Sequence, residues 1–461
     1  MDPQAQPGRT SRAGWLQPMA AHYVLTGRCQ EGAPPRTILT STGAQDVEKR
    51  VTELRHALKQ RKRKPLTPYH CDVWDVELEW HGLWGRYPKL IQGLKGVFDL
   101  GIPGIHKMHA LQNHWSISIL NDVYNSIIQN EFAASRYIGP FTRAQLEASL
   151  GPFQMSPLLL VPMTSKLGKY QAVHNFSRPH NPLPAISCIN SSINSDDFPC
   201  TWGTFPMVFL LVACLPPGSQ ASVRNVAEAY QTIPTLPSQW PGLVIHLQDD
   251  DQFAVNVCNN FGLMSAGGVY GMVADTGADI FCSSGISPLL KWVNDHIFFR
   301  ILWEHLPEYN ARQEEWKQDI QTQGGCRQTG SRIWYGGKNI PEGSSEEFDE
   351  DCSAIFADMA GSSSRSVQDQ DFTYTDTDID KISACLGIHW EPSKSIPFRT
   401  EVPYLGFCWD LQARVVHLLK EKKHKYLAAI LEWESQCTHN LLDTQHLHRK
   451  LLHATLVLPA G

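Results

Sequence analysis

The sequence predicts an α+β fold on three observations. Short apolar runs of β type, separated by turn signals, occupy residues 156–176 and 244–257. Helical spacing of apolar residues marks 121–139 and 420–433. Across 461 residues the composition is 42% hydrophobic and 19% charged, which suits a chain that packs a core rather than a disordered one. That length suggests two to four domains or subdomains.

Residues 1–45 are rich in Gly, Pro, Ser, Thr and Gln and read as a flexible tail. Residues 48–64 carry eight Lys or Arg against two Glu, and Val51, Leu54 and Leu58 share one helical face. A short basic helix is expected there, either a solvated linker or a phosphate-binding or nuclear-import patch. From about residue 66 the chain turns globular. In 121–139, Val123, Ile127, Ile128 and Phe132 recur at helical spacing. SPLLLVPM and KYQAVHNF then form a hairpin around SKLGK, with Lys166 and Lys169 at its tip. Residues 244–246 and 253–257 read as two strands joined by the acidic turn Asp249-Asp250-Asp251. Residues 341–380 hold twelve acidic residues and one basic residue, and read as a solvated surface insertion. In 420–433, Tyr426, Leu427, Ile430 and Leu431 are expected to face one way, with lysines clustered at the other end.

Several function classes are excluded. A net charge of −6 is not that of a globally basic nucleic-acid coat, although it permits a local basic groove. The longest apolar run, 207–215, is nine residues, so no transmembrane helix is expected. The first residues lack a secretory apolar stretch, which points to an intracellular protein, cytoplasmic or nuclear and not secreted. The 12 cysteines include no CxxC pair, so a zinc ribbon is unsupported and reduced thiols are expected. The chain has no Walker loop, no HExxH, no GxSxG and no GxGxxG after a strand. His446 and His453 share a helical face without the four convergent ligands of a closed zinc site.

The centre of the chain carries an ordered series. The basic hairpin (158–176) is followed by INSSINSDDFPCTWGTF (189–205) and SVRNVAEAYQTIPTLPSQWPG (222–242). NNFGLMSAGGVYG (259–271), KWVNDHIFF (291–299) and VPYLGFCWDL (402–411) complete it. Taken in order, this series resembles the reverse transcriptase of DIRS-like, tyrosine-recombinase retrotransposons, and more distantly those of gypsy-like elements and retroviruses. The resemblance runs from about residue 66 to the end.

The resemblance implies a right-hand polymerase fold. Fingers would lie at about 120–220 and the palm, an antiparallel sheet backed by helices, at about 221–300 and 372–412. The acidic insertion would take about 310–371, and 413–461 would begin the thumb and connection, with a ribonuclease H domain expected beyond. The implied partners are an RNA template, a DNA primer and deoxynucleotides, with no membrane. The implied cofactor is Mg²⁺, two ions held by three aspartates across an in-line displacement.

Matched residue by residue, Asp295 stands at the second position of the paired aspartates and is the remaining metal-binding candidate. Asn294 and Asn225 stand where the family has the other two carboxylates. Tyr230 matches the aromatic gate beneath the incoming sugar. Phe261, Gly262 and Ser265 match the second palm motif, where a glycine turn lets backbone approach the nucleotide. Tyr404, Leu405, Gly406 and Phe407 match the primer grip. Gln171 replaces the arginine that would pair with the triphosphate, a task for which an amide is no substitute. Lys166 and Lys169 remain as cations on that hairpin.

Each Asp-to-Asn change keeps an oxygen but removes a unit charge roughly 2 Å from a divalent cation. At an effective dielectric near 20, that loss is several kcal/mol. A few kcal/mol is a factor of about a hundred or more in rate. Five departures, at Asn175, Asn225, Asn294, Gln171 and Gln231, are each reachable by one G-to-A transition, as expected of a mutationally inactivated copy. The expectation is therefore an RNA-directed DNA polymerase by resemblance with impaired catalysis. The alternatives are a non-catalytic nucleic-acid-binding protein and a decayed product on the same fold.

Overall fold

The computed structural model describes residues 67–163, 168–180, 186–247, 251–323, 326–329, 332–339, 345–349, 359 and 365–458. The expected tail and basic helix, Lys166, the turn residues Asp249 and Asp250, and much of the acidic insertion lie outside the described residues. The chain forms two compact units. The first comprises Asp99–Asn194 and Thr235–Gly267; the second comprises Pro65–Phe98, Ser195–Pro234 and Gly268–Gly461.

The second unit is built on a four-stranded antiparallel sheet. Its strands are β1 (Gln220–Asn225), β2 (Leu289–Trp292), β3 (Asp295–Arg300) and β4 (Ile396–Arg399), in the order β4-β1-β3-β2. The two central strands pair over their whole length, from Gln220 against Arg300 to Asn225 against Asp295. Alternation divides β1 between two faces. Ala221 and Val223 enter an apolar core, whereas Ser222 and Arg224 both bond to the Asp376 carboxylate.

That carboxylate opens the helix Asp376–Leu386. Thr375 and Asp378 form a capping box at its start, and Gly387 ends it at φ +73°. A Cβ at Gly387 would lie 2.3 Å from the Pro68 carbonyl oxygen, so the close approach also requires glycine.

The other face of the sheet packs on the helix Phe205–Cys214, which starts with proline in its first turn and buries Met207, Val208, Leu211 and Val212. Burial of four such side chains contributes about 6–12 kcal/mol before entropy is subtracted. The same core takes Val402, Tyr404, Phe407 and Trp409 from an antiparallel meander of β5 (Glu401–Tyr404), β6 (Phe407–Asp410) and β7 (Val415–Leu418).

The helix Lys420–Glu434 forms where the sequence predicts one, but only Tyr426 of its expected apolar face is buried. Leu427 and Leu431 remain 47% and 66% exposed, so periodicity marked the helix without marking a buried contact.

The first unit holds a three-stranded antiparallel sheet in which Gln252–Asn256 lies between Tyr137–Thr142 and Val244–His246. The expected hairpin is present, Leu158–Pro162 pairing with Tyr170–His174. Its core includes Ile117, Tyr124, Ile128, Leu158, Leu160 and Ile245. The helix expected over 121–139 ends at Ala133. Ser135 takes φ +59°, and Tyr137 is paired with Asn256 in the sheet, so strand pairing overrides the last part of the helical pattern. Among the described residues no helix is long and apolar enough to cross a membrane.

Candidate functional site

The register of the central sheet brings three of the predicted residues together. β2 and β3 pair Trp292 with Asp295, which leaves Val293 and Asn294 as a two-residue turn. Such turns need a positive φ at their first central residue, a position that suits glycine. Val293 takes it at φ +55°. A β-branched residue in that conformation is strained, by about 1–3 kcal/mol, and strain of this kind gathers at functional sites.

Asn225, at the end of β1, stands directly across from Asp295. It is only 4% exposed. Its side-chain nitrogen donates to the Asp295 carboxylate. Its oxygen accepts from the Asn294 amide at 3.1 Å and from the Lys394 ammonium at 3.3 Å. The Asn294 amide also donates to the Val226 carbonyl at 3.1 Å, and the Val226 backbone amide returns a bond to the Asn294 carbonyl at 2.8 Å. These partners fix which end of each amide faces which neighbour, since a carboxylate and an ammonium cannot exchange places.

Lys394 is a member of this site that sequence reasoning did not identify. It ends the short 3₁₀ turn Pro392–Lys394. The segment before it is anchored beside the strand: Glu391 donates its backbone amide to the Asn225 carbonyl at 2.7 Å, and Ala227 donates to the His389 carbonyl at 2.8 Å. A single lysine in EPSKS carries no local signal of this role, because its partner lies 169 residues away.

His296 is the next residue on β3. It is buried, and burial and the neighbouring Lys291 push its imidazole down to about 3, so it is neutral at pH 7. Burial pushes the Asp295 carboxyl above the ordinary aspartate range, while the Asn225 hydrogen bond and Lys394 pull it back.

This donor set does not suit a pair of Mg²⁺ ions. Of the three side chains at the turn only one carries negative charge. Asn225 turns its N–H group to that carboxylate, and its oxygen already accepts from an amide and an ammonium. Magnesium wants near-octahedral oxygen coordination anchored by carboxylates, which this set does not offer. Glu228 is exposed, in a left-handed conformation at φ +50°.

Tyr230 lies in the 3₁₀ turn Ala229–Thr232, buried, with its ring edge-on to Tyr270 at 5.7 Å. Tyr404 donates its hydroxyl to the Asp295 carbonyl at 3.2 Å, which ties β5 to the turn. Leu405 and Gly406 form the tight β5–β6 turn, with φ +54° and +84°. The Leu405 carbonyl is 3.1 Å from His453 Nε2, and the Phe407 ring stacks on His453 at 4.3 Å.

The remaining predicted residues belong to the first unit. Gly262 takes φ +96°, and a Cβ there would stand 2.4 Å from the His174 carbonyl oxygen. Asn190 holds this loop, donating to the Gly262 carbonyl at 2.8 Å and accepting from the Met264 amide at 2.8 Å. Phe261 is 37% exposed. Ser265 is fully buried and donates to the Leu100 carbonyl at 2.6 Å, a structural bond. Gln171 pairs with Val161 in the hairpin, Lys169 is exposed, and Lys166 lies outside the described residues.

No family model matches the sequence. No curated protein matches it either. Among solved structures, the chain is similar to a foamy viral protease-reverse transcriptase in complex with RNA/DNA hybrid. The two share 12% identity at a TM-score of 0.43, over 90% of this chain and 41% of the other. The same viral protein in complex with dsDNA gives 13% identity and a TM-score of 0.42, over 91% of this chain and 64% of the other. Native prototype foamy virus protease-reverse transcriptase gives 11% identity and a TM-score of 0.37, over 91% and 44%. The chain thus spans 41–64% of the length of these proteins. At TM-scores below 0.5 the functional reading rests on the geometry of the site itself.

Proposed function

We propose that the chain is a reverse transcriptase by descent, of the DIRS-like retrotransposon type, whose nucleotidyl-transfer site has lost its metal-holding charge. In this reading the four-stranded sheet is the palm, the hairpin Leu158–Pro162/Tyr170–His174 belongs to the fingers, and the residues from 413 on begin the thumb. What carries the reading is the contact set at the strained β2–β3 turn. Asn225, Asn294 and Asp295 converge where the family places three carboxylates, and the surviving carboxylate is answered by an amide and by Lys394.

The residual function is grip without copying. The ammonium of Lys394 supplies at the turn some of the positive charge that a metal would bring. The meander hairpin and the lysines of Lys420–Glu434 retain the means to hold a primer–template backbone, through contacts that are salt-sensitive and largely blind to sequence. Substitution of Asp by Asn at 175, 225 and 294, and of Arg by Gln at 171 and 231, fits a copy inactivated by repeated G-to-A transition.

The test is primer extension on an RNA template with Mg²⁺ and with Mn²⁺, alongside binding of the same RNA/DNA hybrid. The chain is expected to bind the hybrid with steep salt dependence and to extend nothing. The variant Asn225→Asp/Asn294→Asp, with Gln171→Arg added, is expected to regain extension. Extension by the unaltered chain would refute the loss of catalysis. Failure to bind the hybrid at low salt would refute the grip.

A further inference from the structure

The outward face of the meander gathers a second set of donor side chains. Cys408 on β6 pairs with His417 on β7 and with Pro403 on β5. Glu401 precedes Pro403 by two residues and therefore shares its side of the strand. One ligand atom from each of Glu401, Cys408 and His417 lies within 4.8 Å of the others. Cys408 is buried, while Glu401 and His417 are exposed, so the trio has a fixed base and two adjustable arms. The Cys408 thiol donates to the Glu401 carboxylate at 2.8 Å.

We propose that Glu401, Cys408 and His417 form a zinc site that pins the three strands of the meander together, with water as fourth ligand. The donors are one sulfur, one imidazole nitrogen and one carboxylate oxygen, a mixture that favours a borderline-soft ion over Mg²⁺ or Ca²⁺. Tetrahedral zinc with bonds of about 2.0–2.3 Å sets its ligands roughly 3.3–3.7 Å apart.

Binding exchanges the Cys408 S–H bond for a Zn–S bond, and the proton leaves to solvent. A thiolate and a carboxylate then balance the two charges of the ion, with His417 neutral. Because the thiol must give up its proton to bind, zinc affinity falls as pH falls. The site is separate from the Asn225–Asp295 contact and does not depend on the polymerase reading.

The test titrates the full chain, stripped by chelator, with Co²⁺ as spectroscopic probe and then with Zn²⁺ as competitor. A thiolate-to-cobalt charge-transfer band and tetrahedral visible bands are expected at one equivalent, both displaced by Zn²⁺. Cys408→Ser is expected to abolish the charge-transfer band. His417→Gln, at an exposed edge-strand position, is expected to weaken binding by at least about tenfold, as loss of even a supporting contact does. A band that persists in Cys408→Ser would overturn the proposal. So would unchanged affinity in His417→Gln, or no cobalt band at all in the unaltered chain.

Discussion

Placing carboxylates at positions 225 and 294 should make the stability of this protein depend on magnesium, and the size of the effect follows from the contacts there. In Asn225→Asp/Asn294→Asp, the amide that donates to Asp295 becomes an acceptor. A hydrogen bond to a charged group, about 1.5–3 kcal/mol, is lost. Two carboxylates then face each other across a register pair of adjacent strands, and at about 4 Å and an effective dielectric near 20 their repulsion is about 4 kcal/mol. The variant in chelator should therefore be less stable than the parent by about 5.5–7 kcal/mol, less whatever protonation of one carboxylate relieves. Millimolar Mg²⁺ should return much of this, because it binds the folded site and not the unfolded chain. The assay is urea unfolding of both proteins in chelator and in Mg²⁺, a hard ion that the sulfur-containing Cys408 set disfavours. The parent should show no magnesium-dependent stabilisation. The reasoning is refuted if the parent gains as much from Mg²⁺ as the variant does, or if the variant loses nothing in chelator.

Other perturbations test the frame around the site. Lys291 and Asp275 form an ion pair at 2.6 Å, each 3% exposed, so Lys291→Met should cost about 3–5 kcal/mol by stranding a charge, and adding Asp275→Leu should recover part of it; paired urea titrations decide. Gly406→Ala should cost about 1–2 kcal/mol in thermal unfolding, since φ is +84° and the new methyl meets the Lys422 amine; an unchanged midpoint would contradict the turn geometry. His174 and His296 are buried neutral, both pushed down to about 3. An unfolded histidine titrates near 6.5, so below that pH the unfolded chain binds protons that the folded chain does not, and stability falls as pH drops from about 6.5 toward 3. At pH 4.5 each should have removed about 2–3 kcal/mol, and His296→Gln should flatten that pH dependence of the unfolding midpoint.

Much of this molecule follows from short-range pattern. The hairpin around SKLGK, the strands at 244–246 and 253–257 and the helix at 420–433 are set by alternation, helical spacing and turn residues close together in the chain, so they were legible in the residues alone. So was the chemistry of positions 225 and 294, since an amide is an amide wherever the fold places it. Tertiary structure alone decided that Asn225 turns its nitrogen to Asp295, that Lys394 reaches the oxygen of the same amide, and that Tyr230 is buried against Tyr270. It also decided that Leu427 and Leu431 stay exposed on a helix whose spacing suggested burial. Strand register brought Glu401, Cys408 and His417 to one face, although no spacing within EVPYLGFCWDL or VVHL announces a ligand set. The physical reason is the same in each case. Local pattern records which conformation a segment prefers, whereas hydrogen-bond partners, burial and strain depend on residues that register and packing bring together from far along the chain.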